Sequence, residues 1–214
     1  YNALQNLNPG ARAYIPFDHN WTSNEKGTGI AAKNYLTAFW LAVNARQPGV
    51  NWNIAYHLYP PVLTSSKMWL PKYTKYTPNN ENAQYISAVN LNVLTDYVQN
   101  HFGMGTRIIL SEQGFTSREG EEYQAAALAY TFYAAQFNNM IDAVIFRSYE
   151  TDPNDEGLDL GLKEAGGRER PAYQVFKYMD TANGTSYTDP YLSVIGVSGW
   201  SQIVPNYNSL VNWN

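Results

Sequence analysis

The sequence predicts an α/β chain built around a parallel sheet. Three observations lead there. Four short apolar runs, at 13–17, 52–56, 107–111 and 143–147, read as strands. Between them lie stretches long enough for helical crossovers, which parallel neighbours require. The runs are almost continuously apolar rather than alternating, as expected for strands in a covered sheet. Matched positions Ile15, Ile54, Ile108 and Val144 stand about one βα unit apart. A doubly wound sheet and part of a (β/α)8 barrel both fit this rhythm.

The first strand, 13–17, closes on Asp18-His19-Asn20-Trp21, and its Pro16 argues against a central position. A helix over 29–45 follows, with Ala, Leu, Phe and Trp at helical spacing, and Pro48-Gly49 stops it. The second strand, 52–56, runs into His57-Leu58-Tyr59-Pro60-Pro61. A Pro- and Tyr-rich loop continues to Asn82, longer than packing alone requires. A helix over 87–101 ends at Gly103. The third strand, 107–111, reaches Glu112-Gln113-Gly114. A helix over 121–137 opens with acidic residues, which suit its dipole. The fourth strand, 143–147, ends at Ser148-Tyr149-Glu150. An irregular acidic loop fills 151–170, Pro171 opens a helix to Met179, and a last helix covers 190–203.

The chain reads as one domain over 1–214, without linker, repeat or low-complexity tract. An apolar fraction of 44% supports a packed core. No run approaches the roughly 18 apolar residues of a membrane span, and no N-terminal stretch has signal-peptide order. A pI near 5.3 with no basic stripe argues against nucleic acid. Zero Cys excludes thiol nucleophiles, disulfides and Cys-based zinc sites. Three His without close spacing give no zinc site, and no cofactor is expected. Charged residues are only 15%, against about 25% in typical soluble domains. The 18 Tyr and 6 Trp offer apolar faces with polar tips, suited to sugars or to an aromatic-rich core.

In a parallel sheet all C-terminal strand ends lie on one side. That gathers Asp18, His19, Trp21, His57, Tyr59, Glu112, Tyr149 and Glu150, titratable groups with aromatic walls. Glu112 stands out because it follows the apolar run Ile108-Ile109-Leu110 directly. By a period of two it shares a strand face with Ile108 and Leu110. A carboxylate at that rim acts as nucleophile or general base, or else caps and pairs within the next loop. His57 either orients a carboxylate or serves as a structural hydrogen-bonding group. Asp152 to Gly157 looks like a calcium loop, but the twelfth position is Lys163, so the match fails.

Leu110-Ser-Glu-Gln-Gly-Phe115 after an apolar strand resembles strand seven of clan A retaining glycosidases, whose nucleophilic Glu maps to Glu112. Asp18-His-Asn-Trp21, Ala55-Tyr-His-Leu-Tyr-Pro60 and Asp155-Glu-Gly157 with Gly161-Leu162 strengthen the likeness. Together they resemble a bacterial glycosidase-like TIM-barrel family catalogued as a domain of unknown function, over about 1–203. The resemblance implies a (β/α)8 TIM barrel of which this chain supplies the C-terminal four βα units, strands five to eight. It implies a retaining glycoside hydrolase acting on a β-linked oligo- or polysaccharide, or an incomplete fragment of one. Glu112 is then the nucleophile and Glu150 the acid/base candidate within this chain. Asp18, His19, Trp21, His57, Tyr59, Arg147 and Tyr149 would bind substrate, with Trp21 stacked on a sugar and Arg147 keeping Glu112 ionised. The departure is the acid/base Glu expected at the end of strand four, for which no acidic residue precedes the first strand. The expected partner is therefore a missing N-terminal half or a second copy, since bare sheet edges associate. A non-catalytic carbohydrate-binding half-barrel is the alternative. The low charge and abundant Tyr and Asn suit an extracellular or cell-surface bacterial protein.

Overall fold

A computed structural model describes residues 1–23, 30–103, 105–154, 156–204 and 206–207. Gly29, where the first long helix was expected to begin, and Asp155 of the acidic loop lie outside the described residues.

The core is a four-stranded parallel sheet: β1 (Tyr14–Phe17), β2 (Asn53–His57), β3 (Ile108–Gln113) and β4 (Ile141–Phe146). The strands lie side by side in chain order. A doubly wound sheet reverses its order at a switch point, and this sheet has no reversal. The register joins residues into rows across all four strands. Ile15, Ile54, Ile108 and Ile141 form one, and Phe17, Tyr56, Leu110 and Val144 another. Both rows belong to or pack against the main apolar cluster, under the helices. The row between them is Pro16, Ala55, Ile109 and Ala143, and it faces the other way. Pro16 and Ala143, at the two ends of that row, are exposed.

Pro16 is tolerated because β1 is an edge strand. The Ala13 carbonyl accepts from the Asn53 N–H at 2.9 Å, so the Ala13 backbone turns toward β2. By alternation Pro16 turns outward, where a missing N–H costs no ladder bond.

After α1 (Asn2–Leu7), the helix α2 (Ala32–Arg46) ends just before Pro48 and Gly49, with Gly49 at φ +81°. The short α3 (Pro71–Thr74) sits in the long loop after β2. The expected helix over 87–101 is instead a 3-10 turn, Ala88–Asn90, followed by α4 (Leu91–Phe102). The Asn90 side chain accepts from the Ser87 N–H at 2.9 Å and fixes that entry. α5 (Glu121–Gln136) is buried nearly all round, which its Ala-rich sequence permits. α6 (Pro171–Tyr178) lies against α5.

The single helix expected over 190–203 does not form. α7 (Gly184–Thr188), a 3-10 turn at Asp189–Tyr191, α8 (Leu192–Ile195) and a turn at Trp200–Gln202 replace it. Gly196 at φ +89° ends α8, a conformation that glycine adopts without strain. Among the described residues no helix is long and apolar enough to cross a membrane.

Candidate active site

Glu112 reaches the open sheet face through an irregularity in β3. Tyr56 pairs with Leu110, but His57 pairs with Glu112, so Ser111 is an extra residue. Such a bulge resets the alternation. The sequence expectation that Glu112 shares a face with Ile108 and Leu110 is therefore corrected. Ile108 and Leu110 are fully buried under the helices, whereas Glu112 joins His57 on the opposite side. Regular alternation would have pushed a carboxylate into the apolar core, at a prohibitive desolvation cost.

Two donors and a neighbouring imidazole surround Glu112. The Tyr59 hydroxyl donates to its Oε1 at 2.7 Å. Arg147 Nη1 approaches the same oxygen at 3.4 Å. His57 Nε2 lies 3.9 Å from Oε2. Arg147 gets there because its backbone N–H donates to the Gln113 carbonyl at 2.7 Å, extending β4 by one step. Burial, and then the bond to Glu112, raise the Tyr59 hydroxyl above the ordinary phenol value, so it stays a donor.

Asp18 and His19 form a second pair at the end of β1. His19 Nδ1 and Asp18 Oδ1 are 2.8 Å apart, and the His19 N–H also donates to that oxygen at 2.7 Å. The bond from His19 holds the Asp18 carboxyl down at about 2, against 3.8 ordinarily, and the charge of His57 adds to this. Asp18 is therefore an anion, not a proton donor, at neutral pH. The His19 ring stacks on Tyr85 at 5.3 Å and meets Tyr59 edge-on at 6.1 Å. Through Tyr59 the two carboxylate clusters share one wall.

The structure thus brings together Asp18, His19, His57, Tyr59, Glu112 and Arg147. It does not bring Trp21, which was expected to stack on a ligand. Trp21 is fully buried, packs edge-on against Tyr97 at 5.1 Å and donates Nε1–H to the Glu81 carbonyl at 3.2 Å. It is a core residue, and no ligand can reach its face. Tyr149 and Glu150 are also turned elsewhere. The Tyr149 ring lies under Lys163 Nζ at 4.9 Å and beside Tyr173. The Glu150 Oε1 accepts from the Gly166 N–H at 2.9 Å, and no contact joins it to Glu112. The cause is the pairing of Glu150 with Lys163, which draws both residues to the acidic loop.

Tyr85 was missed by the sequence reading. It lies just past the long loop, and its bridge to Asn20, with the Ile86 N–H donating to the His19 carbonyl at 3.2 Å, brings it to His19. That loop is pinned over the strand ends. The Ser66 hydroxyl donates to the Thr116 carbonyl at 2.6 Å, Lys67 pairs with Glu119 at 3.4 Å, and Trp69 stacks on Tyr130. Among the described residues no cluster of three or more His, Asp or Glu could hold a metal ion.

Fold and site together define an α/β chain with a hydrogen-bonded carboxylate at the C-terminal ends of parallel strands. The chain belongs to a Family of unknown function (DUF5722), matched over residues 1–203. No curated protein matches it. A solved structure with detectable likeness is a hyperthermophilic beta-glucosidase from Pyrococcus furiosus, 12% identical, with a TM-score of 0.49. The match covers 87% of this chain and 45% of the beta-glucosidase, so the chain spans less than half of that protein's length.

Proposed function

We propose that this chain processes β-linked oligo- or polysaccharides by the retaining route, with Glu112 as nucleophile. We propose also that its four βα units form the C-terminal half of a (β/α)8 barrel. The carrying observation is the bulge that lifts Glu112 onto the open face, with Tyr59 at 2.7 Å and Arg147 at 3.4 Å from one of its oxygens. The sequential sheet order supports the barrel, and the resemblance of Leu110 to Phe115 to glycosidase strand seven supports the chemistry.

The geometry divides the labour between the two carboxylate oxygens. Oε1 carries both donors. Oε2 is the freer oxygen and attacks the anomeric carbon. As that bond forms, the glycosidic C–O bond breaks and its electron pair leaves with the aglycone oxygen, which takes a proton from solvent water. Water then cleaves the glycosyl ester and regenerates Glu112. Tyr59 and Arg147 stabilise the carboxylate as it is released. His57, His19 and Asp18 bind sugar hydroxyls around the anomeric carbon. The test compares β-glycoside turnover by the protein and by Glu112→Gln. The variant should fall to background, and near-complete retention would remove Glu112 from the mechanism.

A second reading, a carbohydrate-binding half-barrel without turnover, draws on a specific observation. Retaining enzymes hold a second carboxyl about 5–5.5 Å from the first as proton donor. Here Asp18 is held ionised and Glu150 is bound to Gly166, so neither is free for that task. Saccharide binding without turnover or covalent labelling would favour this reading.

A further inference from the structure

The bulge that presents Glu112 needs something to hold it. An extra residue interrupts the ladder, and the buried backbone groups beside it must find other partners. Ser111 is extra on both sides of β3. The strand runs from Leu110 to Glu112 while β2 advances only from Tyr56 to His57. It runs from Leu110 to Gln113 while β4 advances only from Val144 to Phe146. A slip that paired Ser111 in place of Glu112 would turn the carboxylate into the core.

The Gln113 side chain supplies the hold. It is fully buried. Its Nε2 donates to the Leu110 carbonyl at 3.3 Å, across the bulge within β3. It also donates to the Ile145 carbonyl of β4. The Gln113 backbone carbonyl accepts from the Arg147 N–H at 2.7 Å. One residue therefore closes the bulge and ties β4 on both sides of Phe146. A primary amide suits this task, because one nitrogen brings two N–H donors without a charge. Lysine or arginine would bring donors but bury a charge. Among the described residues Gln113 Oε1 has no hydrogen-bond partner. An apolar side chain of similar length would avoid that cost, so a filling role alone does not account for the amide.

We propose that Gln113 is the positioning residue of this site. It touches no substrate. It acts through the backbone, holding Glu112 toward Tyr59 and seating Arg147 beside Glu112. Its effect on sugar chemistry rests on the reading of Glu112 as nucleophile; its effect on the bulge does not.

Amide hydrogen exchange, followed residue by residue by NMR, tests the bulge directly. Gln113→Met keeps the length of the side chain and removes its donors. Two amides report on the bulge: the Leu58 N–H, which donates to the Glu112 carbonyl at 2.9 Å, and the Arg147 N–H on the Gln113 carbonyl. The Ile54 N–H, which donates to the Arg107 carbonyl at 2.9 Å, lies before the bulge and is the control. Leu58 and Arg147 should lose protection about ten- to a hundred-fold, as two lost bonds to buried carbonyls imply, while Ile54 keeps its own. Labelling of Glu112 by a 2-deoxy-2-fluoro β-glycoside should slow with them. Unchanged protection at all three amides, or an equal loss at all three, overturns the proposal, because Gln113 is then an ordinary core residue. Deletion of Ser111 gives the second variant. It makes the alternation of Leu110, Glu112 and Gln113 regular and the amide dispensable. In that background Gln113→Met should leave Leu58 and Arg147 protection unchanged. Continued loss there, or unfolding in both backgrounds, overturns the proposal. If the exchange pattern holds but the unaltered protein takes no label, the role of Gln113 at the bulge stands and the nucleophile reading alone fails.

Discussion

Asp18 shows how one hydrogen-bonding neighbour sets a residue's role. Its carboxyl is held at about 2 by His19, below the ordinary 3.8. A depressed value means that the pair stabilises the fold above the unfolded value and loses that contribution as pH falls through about 2. Carboxyl-carbon NMR of the native protein should therefore place the Asp18 midpoint near 2, and a midpoint near 3.8 would show the His19 bond absent. Tyr59 donates to a charged partner, and such bonds are worth about 1.5–3 kcal/mol. Tyr59→Phe should slow release of the sugar from Glu112 about ten- to a hundred-fold; an unaffected release rate would make that bond incidental. Trp21 makes the opposite point. Its full burial predicts that Trp21→Ala costs about 3–5 kcal/mol in denaturant unfolding. Lost saccharide binding with stability intact would return it to the site. At this scale the sequence was a partial guide. Strand ends correctly marked Asp18, His19, His57, Tyr59 and Glu112 as neighbours, while Arg147 entered through the family resemblance. Trp21 follows the same strand end, but its N–H donates to the Gln84 carbonyl at 2.9 Å and pulls the ring inward. That pairing, like the bridge that brings in Tyr85, joins residues about 60 positions apart and leaves no local signal.

Among the elements, the four strands were legible because short apolar runs, bounded by turns and spaced one βα unit apart, have few other readings. Their boundaries moved by one or two residues. The bulge at Ser111 was not legible, since nothing in Leu110-Ser-Glu-Gln distinguishes an extra residue from a regular strand. It nevertheless decides which face Glu112 takes. The final helix failed as an expectation because Gly196 adopts a left-handed conformation and breaks a segment that its apolar spacing alone would continue. Close approach of strands is readable at Gly114. A Cβ there would meet the Arg147 carbonyl oxygen at 2.6 Å. Gly114→Ala should cost about 1–3 kcal/mol of stability and displace Arg147 from Glu112. Unfolding at the original denaturant midpoint would show that β3 and β4 are less tightly apposed than the structure has them.

For the molecule as a whole, chain-order strands and an exposed second face are the properties from which function is argued. Alternation of strands and helices announced the parallel sheet, but not its order, which depends on how crossovers pack. The observed order β1-β2-β3-β4 shows no switch point among the described strands. That order sets every strand end on one rim and every open-face side chain toward one space. Glu112, with its two donors and His57 nearby, stands at that rim. The most direct test is covalent trapping. The protein is incubated with 2-deoxy-2-fluoro β-glycosides bearing dinitrophenolate leaving groups, which need little protonation to depart. Peptide mass spectrometry then locates any adduct. A fluorosugar ester on Glu112, absent in Glu112→Gln, is the predicted result. An adduct on another residue, or none while saccharide binding persists, would contradict Glu112 as the nucleophile.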